Sequence, residues 1–441
     1  MPTFSEGLRL KIVDIFKGTK INSYYRLFAS TLNWNGQKII EYQTEKLKRL
    51  LVHAYRNIPF YSERFAMAKF NPYKFEKIEQ LKNIPTLSRD DLRDNQKNLI
   101  NKGKRNSKVF KSSSSGTTGI PIQYYHDISG ESAGIAAGYI LYYLSGWRVG
   151  RKGLHIWGNP ESIKKWKRWP SRFKRLILNQ KNLPAPLFND IGNYPSIVEL
   201  IKRYKPKFID GYTNTIYSFA QYLDTNSIQI PRAEVVFTTA ENLLDNMREI
   251  IERNIGPVSD LYGCGEINGI AIQPVKDDKY YILEPHVLVE NESFSVDFNE
   301  IIITDLDNYY MPLIRYKTGD IIDRVCEGDE NSHIKFKYFK KIKGRTTDII
   351  DLDNGKKILP VNLLGGTFLR KFREIIKHKV IWDGNSLTFM FELYGNIDMN
   401  TLRQEIAENL KLYNVNFKIK VVKKLLPDKN GKYKYFEKIN I

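Results

Sequence analysis

A run of small hydroxyl-bearing residues and glycines lies in the first third of the chain, at residues 112–121 (SSSSGTTGIP). Glycine lets backbone N–H groups come close to a ligand, and the hydroxyl groups add donors, so such a loop can wrap a polyphosphate. The alternative is a flexible linker. However, the run lies between apolar segments and ends in Gly-Ile-Pro, which stiffens it. It differs from a P-loop, because Ile120 rather than lysine follows Gly119.

Two later motifs combine an acidic residue with a glycine turn. In residues 262–266 (YGCGE), the tyrosine can stack on a base, and the glutamate can hold magnesium through oxygen. In residues 314–320 (IRYKTGD), Asp320 can accept from two ribose hydroxyls and Arg315 can neutralise phosphate. Each motif has a structural alternative when taken singly. Residues 262–266 could be a plain glycine turn, and residues 314–320 could form a salt bridge at a strand end.

Two further motifs lie toward the C-terminus. Residues 343–348 (KGRTTD) contain a glycine that permits unusual backbone angles, so they can form a hinge, or simply a domain linker. Residues 426–434 (LPDKNGKYK) place a lysine beside a glycine turn. That lysine could enter a cleft and meet a carboxylate or phosphate. A solvated lysine turn is the strong alternative in so basic a chain.

The composition sets the class of protein. The 441 residues are enough for two or three packed units. The 69 Lys and Arg against 49 Asp and Glu give a formal net charge of +20. This charge attracts nucleic acid, anionic lipid, nucleotides or an acidic carrier protein without choosing among them. The two cysteines, Cys264 and Cys326, exclude a disulfide scaffold and a zinc site made of cysteine alone.

The elements that must position these motifs follow from the apolar pattern. Residues 1 to about 110 are predicted to be mainly helical, with Pro59 ending a helix or beginning a turn. From about 110 to 290, short apolar runs are each followed by a polar loop and a helix, at 153–157 (GLHIW), 207–212 (KFIDGY) and 234–239 (EVVFTT). This alternation predicts a mainly parallel sheet with flanking helices. Ligands bind at the carboxyl ends of such strands, so the loops there are where we expect chemistry.

The rest of the chain predicts a second kind of structure. Antiparallel strands are expected at 300–304 and 312–316. A smaller unit after Gly344 follows, with a hairpin at 353–355, a helix at about 361–378, strands at 379–382 and about 387–393, and a helix at about 400–412. We therefore predict an α/β fold with a large N-terminal domain of mixed, mainly parallel sheets and flanking helices, and a small α+β C-terminal domain. The predicted domains are 1–343 (with 1–110 as the helical entry region) and 344–441, with the hinge near 344–348.

The sequence predicts no membrane-spanning segment, because none reaches the ~20 apolar residues that a span needs. The longest uncharged stretch, between Glu131 and Arg148, contains glycine, serine and tyrosine and predicts a buried helix beside a site. The first twenty residues mix acids, bases and apolar residues, with neither the apolar core nor the cleavage site of a signal peptide. We therefore predict a cytoplasmic protein.

Taken in order, the five motifs resemble those of the AMP-forming, adenylate-forming enzyme superfamily. The likeness covers nearly the whole chain. It is greatest to the phenylacetate–CoA ligase-like branch, which includes proteins of capsular and surface polysaccharide gene clusters; residues 53–61 (HAYRNIPFY) resemble that branch too. The resemblance implies an AMP-forming carboxylate ligase. Such an enzyme activates a carboxylic acid as an acyl-adenylate with release of pyrophosphate, then transfers the acyl group to a thiol or amine. It also implies that the C-terminal domain is a mobile lid.

The resemblance implies nucleotide-binding roles for the residues that match the family's motifs. The residues that would cradle the ATP triphosphate are Ser114, Ser115, Gly116, Thr117, Thr118 and Gly119. Those that would frame the adenine are Glu241, Tyr262 and Gly263. Asp320 would bind the ribose hydroxyls, with Arg345 nearby.

The resemblance also implies the residues that would act at the reacting groups. Glu266 would hold Mg²⁺. Lys432 would enter with the C-terminal domain and contact the carboxylate and the α-phosphate, although Lys434 is an open alternative. The resemblance also implies that the carboxylic acid binds near Tyr125, His126 and Tyr212, because these residues stand at the family's substrate-binding positions.

The implied partners are a small-molecule carboxylic acid and an acceptor, which is CoA, an acyl carrier or an amino sugar. Residues 164–169 (KKWKRW), with Arg172, Lys174 and Arg175, offer a basic surface. That surface suits a carrier protein, the CoA phosphates or an anionic membrane, and a solvated helix face is the alternative. We expect at most peripheral membrane contact. A homodimer stays open as a guess from base rates.

Two other functions remain as hypotheses. A non-catalytic relative that binds nucleotide or glycan intermediates is suggested by Ile122, Gly265 and Tyr435, which stand where many family members have Lys, Thr and Arg. A nucleic-acid-binding protein is suggested by the net charge of +20 and 13% aromatic residues. The sequence carries no helix-turn-helix, zinc or RNA-binding signature, so we expect no specific nucleic acid partner.

Overall fold

The computed structural model describes residues 2–104, 108–113, 122–158, 169–295, 298–352, 354–360, 363–372, 374–426 and 434–439. The helices in these ranges are α1 (Phe4–Lys17), α2 (Ile21–Thr31), α3 (Gly36–Asn57), α4 (Pro59–Met67), α5 (Arg89–Asp94), α6 (Ile128–Leu144), α7 (Trp169–Ile177), α8 (Tyr194–Tyr204), α9 (Thr213–Thr225), α10 (Asp245–Asn254), α11 (Gly366–Lys371) and α12 (Met399–Leu410). Short 3₁₀ turns cover Pro72–Lys74, Ile78–Asn83, Lys102–Lys104, Ala185–Asn189, Ile191–Asn193 and Thr346–Asp348.

The strands of the same ranges form one large sheet and four smaller ones. They are β1 (Phe110–Ser113), β2 (Gln123–His126), β3 (Gly153–Trp157), β4 (Gln180–Pro184), β5 (Phe208–Tyr212), β6 (Val235–Thr239), β7 (Val258–Tyr262), β8 (Ala271–Gln273), β9 (Tyr280–Ile282), β10 (Val287–Ser295), β11 (Phe298–Asp305), β12 (Tyr316–Ile322), β13 (Tyr338–Phe339), β14 (Ile342–Arg345), β15 (Ile350–Asp351), β16 (Lys357–Ile358), β17 (Ile375–Trp382), β18 (Ser386–Leu393), β19 (Asn416–Val422) and β20 (Phe436–Lys438).

The large sheet has eight strands in the order β13-β9-β8-β7-β6-β5-β3-β4. Strands β4, β3, β5, β6 and β7 are neighbours and run parallel. Strands β8, β9 and β13 continue the sheet in antiparallel pairing. Alternate side chains enter two different cores: Ile209 and Val236 pack with α8–α10, whereas Phe208 and Phe237 pack with α1, α2 and α6. Burial on both faces explains why these strands are unbroken apolar runs. The prediction of a mixed, mainly parallel sheet is confirmed.

Residues 4–94 contain the helices α1 to α5, which agrees with the mainly helical pattern predicted for residues 1 to about 110. Helix α3 ends at Asn57 and α4 begins at Pro59, where proline fits the first helical turn. The apolar face of α3, including Leu47 and Leu50, shares a core with Ile301 and Ile303 of β11. Helices α3 and α4 therefore pack against the four-stranded sheet β10-β11-β12-β14.

The C-terminal unit has its own apolar core under the sheet β19-β18-β17-β20. Phe389 and Phe391 of β18 pack there with Leu402 and Ile406 of α12. The predicted hairpin is present, because β15 pairs antiparallel with β16, and the predicted last helix and strands are confirmed. The domain boundary between 343 and 344 stays a prediction.

Two predicted elements are wrong in part. The helix expected at 361–378 is only the short α11, Gly366–Lys371, and the following residues from Ile375 onward belong to β17. Pairing with β18 satisfies this backbone and buries Ile375 in the core, which overrides the local helical pattern. The strand expected at 312–316 begins only at Tyr316. Arg315 before it has a φ of +54°, and its N–H donates to Thr304 Oγ1 at 3.0 Å instead of to a sheet ladder.

Helix α6 corresponds to the uncharged stretch that was expected to be buried. Ala133, Ala136, Ala137 and Ile140 are fully buried in the core that α6 shares with α2. Within the described ranges, no helix combines the length and the apolar character needed to cross a bilayer.

The pH dependence of stability can be tested at Glu284, a carboxyl group that is 5% exposed and accepts from the Lys337 N–H at 2.8 Å. Burial raises the pKa of Glu284 to about 7 from its ordinary 4.5. Its contribution to stability is therefore full below pH 4.5 and is lost as the pH rises through about 7. We expect Glu284→Gln to raise the free energy of unfolding above neutral pH by about 3 kcal/mol and leave it unchanged in acid. Urea titrations across pH would measure this, and identical pH profiles in both proteins would contradict it.

Candidate active site

One edge of the large sheet gathers the ends of its parallel strands. Strands β3, β5, β6 and β7 run in the same direction and finish at Trp157, Tyr212, Thr239 and Tyr262. The loops that carry Glu241 and Glu266 follow two of these ends. The geometry of a parallel sheet thus brings residues from distant parts of the sequence to one edge, where ligands bind in folds of this kind.

Tyr262, Asp320 and Arg345 form a connected group at this edge. The Tyr262 hydroxyl donates to Asp320 Oδ2 at 3.0 Å, and Arg345 Nε lies 3.3 Å from Asp320 Oδ1. Asp320 and Arg345 are cross-strand partners on β12 and β14. Burial, followed by the charge of Asp320, raises the pKa of Tyr262 well above its ordinary value, so this hydroxyl stays a donor. A fixed carboxylate between two donors is suited to accept from a vicinal diol.

Glu266 offers a buried carboxylate oxygen. Its residue is 4% exposed, and among the described residues no group donates a hydrogen bond to Glu266 Oε1. Arg89 Nη1 lies 3.9 Å from that oxygen, and the Tyr316 hydroxyl hydrogen-bonds the same carboxylate. Burial raises the pKa of Tyr316 and the Glu266 charge raises it further. A buried anionic oxygen with unused lone pairs fits a hard cation such as Mg²⁺.

Glu241 holds the loop after β6 against the first turn of α9, which follows β5 directly. Ala240 before it has a φ of +70°, a strained conformation for a residue with a Cβ. Glu241 Oε2 accepts from the Asn214 N–H at 2.9 Å, and the Thr213 hydroxyl donates to the Glu241 carbonyl at 3.1 Å. The Glu241 side chain is therefore engaged with protein backbone, and its bonds position the chain at the sheet edge.

The C-terminal unit touches the same region. The Tyr435 hydroxyl donates to Asn214 Oδ1, one residue from Thr213. Burial lowers the pKa of Lys377 on β17, and the charges of Glu392 and Glu241 oppose that shift, so Lys377 is within electrostatic reach of Glu241. The C-terminal sheet and the edge of the large sheet therefore meet at Glu241 and Asn214.

The residues predicted to hold the carboxylic acid lie on two different sheets. Tyr212 stacks on Trp157 at the edge, with ring centroids 4.6 Å apart. Tyr125 and His126 belong to the small β1–β2 sheet. The Tyr125 hydroxyl donates to Gln123 Oε1 at 3.0 Å, and the buried His126 ring lies 3.4 Å from Asn308 Nδ2.

A polar pair that the sequence did not indicate lies one step inward from the stacked rings. His155 and Asp210 are cross-strand partners on β3 and β5, and Nδ1 of the histidine contacts Oδ1 of the aspartate. Tyr142 also hydrogen-bonds Asp210. His155 Nε2 is buried, and within the described part of the chain it has no hydrogen-bond partner. Because strand side chains alternate, this pair lies on the same face of the sheet as Trp157 and Tyr212.

The predicted phosphate loop and catalytic lysine lie outside the described residues. This applies to Lys432 and to the loop residues Ser114, Ser115, Gly116, Thr117, Thr118 and Gly119. The described flanks are β1 and β2, whose Ser113 and Gln123 pair across the antiparallel sheet. Lys434, the alternative lysine, is described and exposed. Gly263, the remaining predicted residue, follows Tyr262 directly, and a Cβ at this position would lie 3.8 Å from the Ile267 carbonyl oxygen, an ordinary van der Waals contact.

A second cluster of titratable residues is buried away from this edge. His286, Asp305 and Asp307 lie within metal-coordinating distance of one another. However, Lys46 Nζ lies 2.6 Å from Asp307 Oδ1, and the His286 nitrogens lie 2.9 Å from Asp307 Oδ2 and 3.0 Å from the Asn268 carbonyl. Burial alone would raise the pKa of Asp307, but Lys46 and His286 bring it below its ordinary value. The cluster is an internally neutralised network that joins α3 to the β9–β11 region.

The chain is similar to known proteins both in sequence and in overall structure. The chain is 26% identical over 407 residues to the protein CapK of Staphylococcus aureus, covering 90% of this chain and 88% of that protein. It is 25% identical over 397 residues to the phenylacetate–coenzyme A ligase of Pseudomonas putida, and the match covers 83% of this chain and 81% of that ligase. In structure it is similar to 2-hydroxyisobutyryl-CoA ligase in the postadenylation state with R3-HIB-AMP, with a TM-score of 0.73 at 16% identity, covering 92% and 90%. No protein-family profile matches the chain.

The fold is that of the adenylate-forming ligases, as the order of the motifs predicted. Within that class, the predicted likeness to the phenylacetate–CoA ligase-like branch is confirmed, since both sequence relatives match over more than four fifths of their own length.

Proposed function

We propose that the protein is a cytoplasmic, ATP-dependent, AMP-forming carboxylate ligase of the phenylacetate–CoA ligase-like branch. The observation that carries this proposal is the placement of Tyr262, Asp320 and Glu266 around one strand edge that also meets the C-terminal unit through Tyr435. If these residues lay on separate surfaces, they could not bind the same nucleotide. The relatives named phenylacetate–coenzyme A ligase add support for carboxylate activation.

The chemistry follows from the poor leaving group of a carboxylic acid. A carboxylate oxygen attacks the α-phosphorus of ATP, the bond to the β-phosphate oxygen breaks, and acyl-AMP and pyrophosphate result. The acceptor then attacks the acyl carbon, AMP leaves with the bonding electron pair, and the acceptor loses its proton. Because the first step brings two anions together, positive charge at the α-phosphate is required.

The described residues divide the work of holding ATP. Asp320 accepts from the ribose hydroxyls, and Tyr262 and Arg345 keep its carboxylate in place. Glu266 would hold Mg²⁺, which supplies charge compensation at the phosphates when bound. The loop from Ser114 to Gly119 would supply the remaining phosphate donors.

We further propose that the C-terminal unit is a mobile lid on a hinge near 344–348. The hinge segment includes Gly344 on β14 and the 3₁₀ turn Thr346–Asp348, immediately after the cross-strand pair of Asp320 and Arg345. Movement about it would carry Lys432 to the carboxylate and α-phosphate. The Tyr435–Asn214 contact lies between the lid and the edge, so it would form and break with that movement.

The acid is proposed to lie against Trp157 and Tyr212, with Tyr125 and His126 at a greater distance. The stacked rings offer an apolar wall, and the His155–Asp210 pair beneath them offers a buried polar one. A buried histidine nitrogen without a partner is costly unless a ligand meets it. This arrangement favours an acid that carries a hydrogen-bonding group on its body over a purely aliphatic acid.

CoA is the acceptor we favour, because several sequence relatives are phenylacetate–coenzyme A ligases by name. An acyl carrier and an amino sugar, as in capsule assembly, remain the alternatives. Parallel single-turnover reactions of preformed acyl-adenylate with CoA, carrier protein and glucosamine would identify the acceptor from the product mass.

The test of the proposed function is acid-dependent exchange of pyrophosphate into ATP. The full chain would be screened against aryl, hydroxylated, aliphatic and amino acids in the presence of Mg²⁺. We expect exchange with one class of acid and none without acid. Binding of ATP with no exchange for any acid would favour the non-catalytic relative.

Asp320→Asn tests the ribose-binding role. The amide keeps the shape and one acceptor oxygen but loses the negative charge that binds the diol and pairs with Arg345. We expect the KM for ATP to rise about tenfold, with a smaller change in kcat, as expected for a binding interaction. Asp323→Asn is the matched control, since Asp323 lies three residues on and accepts from backbone N–H groups of Lys340 and Lys341. Equal KM values in both variants would contradict the role.

A further inference from the structure

Helix α1 is apolar on both of its sides. Leu10 and Val13 face inward and are 0% and 2% exposed. On the opposite side, Phe4, Leu8 and Ile15 are 82%, 50% and 80% exposed. Positions 4, 8 and 15, with Lys11 between them, recur at spacings of three and four and so form one stripe along the helix. A helix that only covered the core would be polar on this side.

Helix α7 packs beside α1 and adds further exposed apolar surface. Phe16, which is 54% exposed, packs its ring edge-on against Phe173 with centroids 4.5 Å apart, and Leu176 beyond it is 76% exposed. The basic apolar patch, as we name this surface, consists of Phe4, Leu8, Lys11, Ile15, Phe16 and Leu176. Clusters of large apolar side chains that stand this far into solvent mark interaction sites.

The two helices together carry six basic residues and two acidic ones. Helix α7 carries Arg172, Lys174 and Arg175 and no acidic residue. On α1, Lys11 is exposed, Lys17 pairs with Glu131 of α6 at 3.4 Å, and Arg9 donates to the Ile177 carbonyl.

Both acidic residues of α1 are engaged within the protein. Glu6 is 2% exposed and accepts from the Thr3 N–H at the helix start, and Asp14 accepts from the Thr19 hydroxyl and the Ile21 N–H. The patch therefore presents apolar side chains among cationic groups, with neither acid of α1 free to face a partner.

We propose that the basic apolar patch binds the surface of an anionic lipid bilayer. The patch combines the two features of an interfacial helix: apolar side chains that enter the acyl region, and Lys and Arg that meet anionic headgroups. A second copy of the chain is a poorer occupant, because a two-fold contact would place Lys11 and the α7 cations against themselves.

The test is cosedimentation of the full-length protein with vesicles of equimolar phosphatidylglycerol and phosphatidylcholine, and with vesicles of phosphatidylcholine alone. We expect binding to the anionic vesicles only, weakened by high salt. The double variant Phe4→Ser/Ile15→Ser should lower the partition coefficient by about tenfold for each side chain removed. Because both side chains are about four-fifths exposed, the thermal unfolding temperature should not change.

Matched controls separate the patch from general hydrophobicity and charge. Met67→Ser/Leu412→Ser removes apolar side chains that are 82% and 72% exposed elsewhere, and should bind as wild type does. Lys11→Glu should weaken binding at low salt, whereas Lys48→Glu on α3 makes the same charge change outside the patch and should not.

Three outcomes would overturn the proposal. They are absence of binding to anionic vesicles, binding that Phe4→Ser/Ile15→Ser leaves unchanged, and a wild-type dimer that becomes monomeric in that variant without any vesicle binding. The last result would assign the patch to a second copy of the chain. The proposal does not depend on the catalytic assignment, so exchange activity of the variants should equal that of the wild type.

Discussion

Glu266→Gln is expected to lower acid-dependent exchange of pyrophosphate into ATP by at least about 100-fold, since changes next to a metal already cost 10- to 100-fold. The substitution keeps the size of the side chain and removes the anionic oxygen that is buried with no donor within the described residues. It also leaves Arg89, 3.9 Å from that oxygen, beside a neutral group. Loss of a metal ligand should appear as a higher Mg²⁺ requirement, so raising the Mg²⁺ concentration should restore part of the activity.

Glu284→Gln is the matched control for this prediction. It makes the same chemical change at another buried glutamate, which bonds to Lys337 and plays no part in the proposed site. Exchange rates measured over a range of Mg²⁺ concentrations should separate the two variants. Equal activity in both, or an effect of Glu266→Gln that Mg²⁺ does not alter, would contradict the metal-holding role.

Lys432→Ala is expected to lower the rate of adenylation by about 100- to 1,000-fold, the usual effect of removing one group that stabilises charge at the reacting centre. The lysine would compensate the charge that builds up as the carboxylate approaches the α-phosphate. Transfer of the acyl group from a preformed adenylate to the acceptor should be much less affected, because that step does not bring two anions together.

Lys434 supplies the internal comparison. It lies two residues from Lys432, is exposed, and is the alternative candidate for the same role. We expect Lys434→Ala to keep nearly normal adenylation, as measured by pyrophosphate release in single-turnover reactions. A large loss in Lys434→Ala alone would transfer the role to Lys434. Normal rates in both variants would remove the lysine from the mechanism.

Much of the fold could be predicted because burial on both faces leaves a strong local pattern. The runs ending at Trp157, Tyr212 and Thr239 are short, apolar and followed by polar loops, and all three are parallel strands. The local pattern from Ile375 to His378 predicts helix, whereas the strand conformation there depends on pairing with β18, which lies further along the chain.

The site could be predicted only where a motif carried its own signal. Tyr262 and Asp320 belong to glycine-turn motifs, and they meet through a hydrogen bond. Arg89, Asn214 and the His155–Asp210 pair carry no such signal, because their positions arise from packing between distant segments. For His155, the alternation of side chains along β3 was the one available indication.

The central claim is that the carboxylate attacks the α-phosphorus of ATP. It is tested most directly by supplying the acid that supports exchange with both carboxylate oxygens replaced by ¹⁸O. Full turnover with the acceptor is then followed by mass spectrometry of the nucleotide product. We predict AMP that carries one ¹⁸O atom, together with unlabelled pyrophosphate. Formation of ADP with ¹⁸O in inorganic phosphate would contradict the account, because the acid would then have been activated at the γ-phosphate.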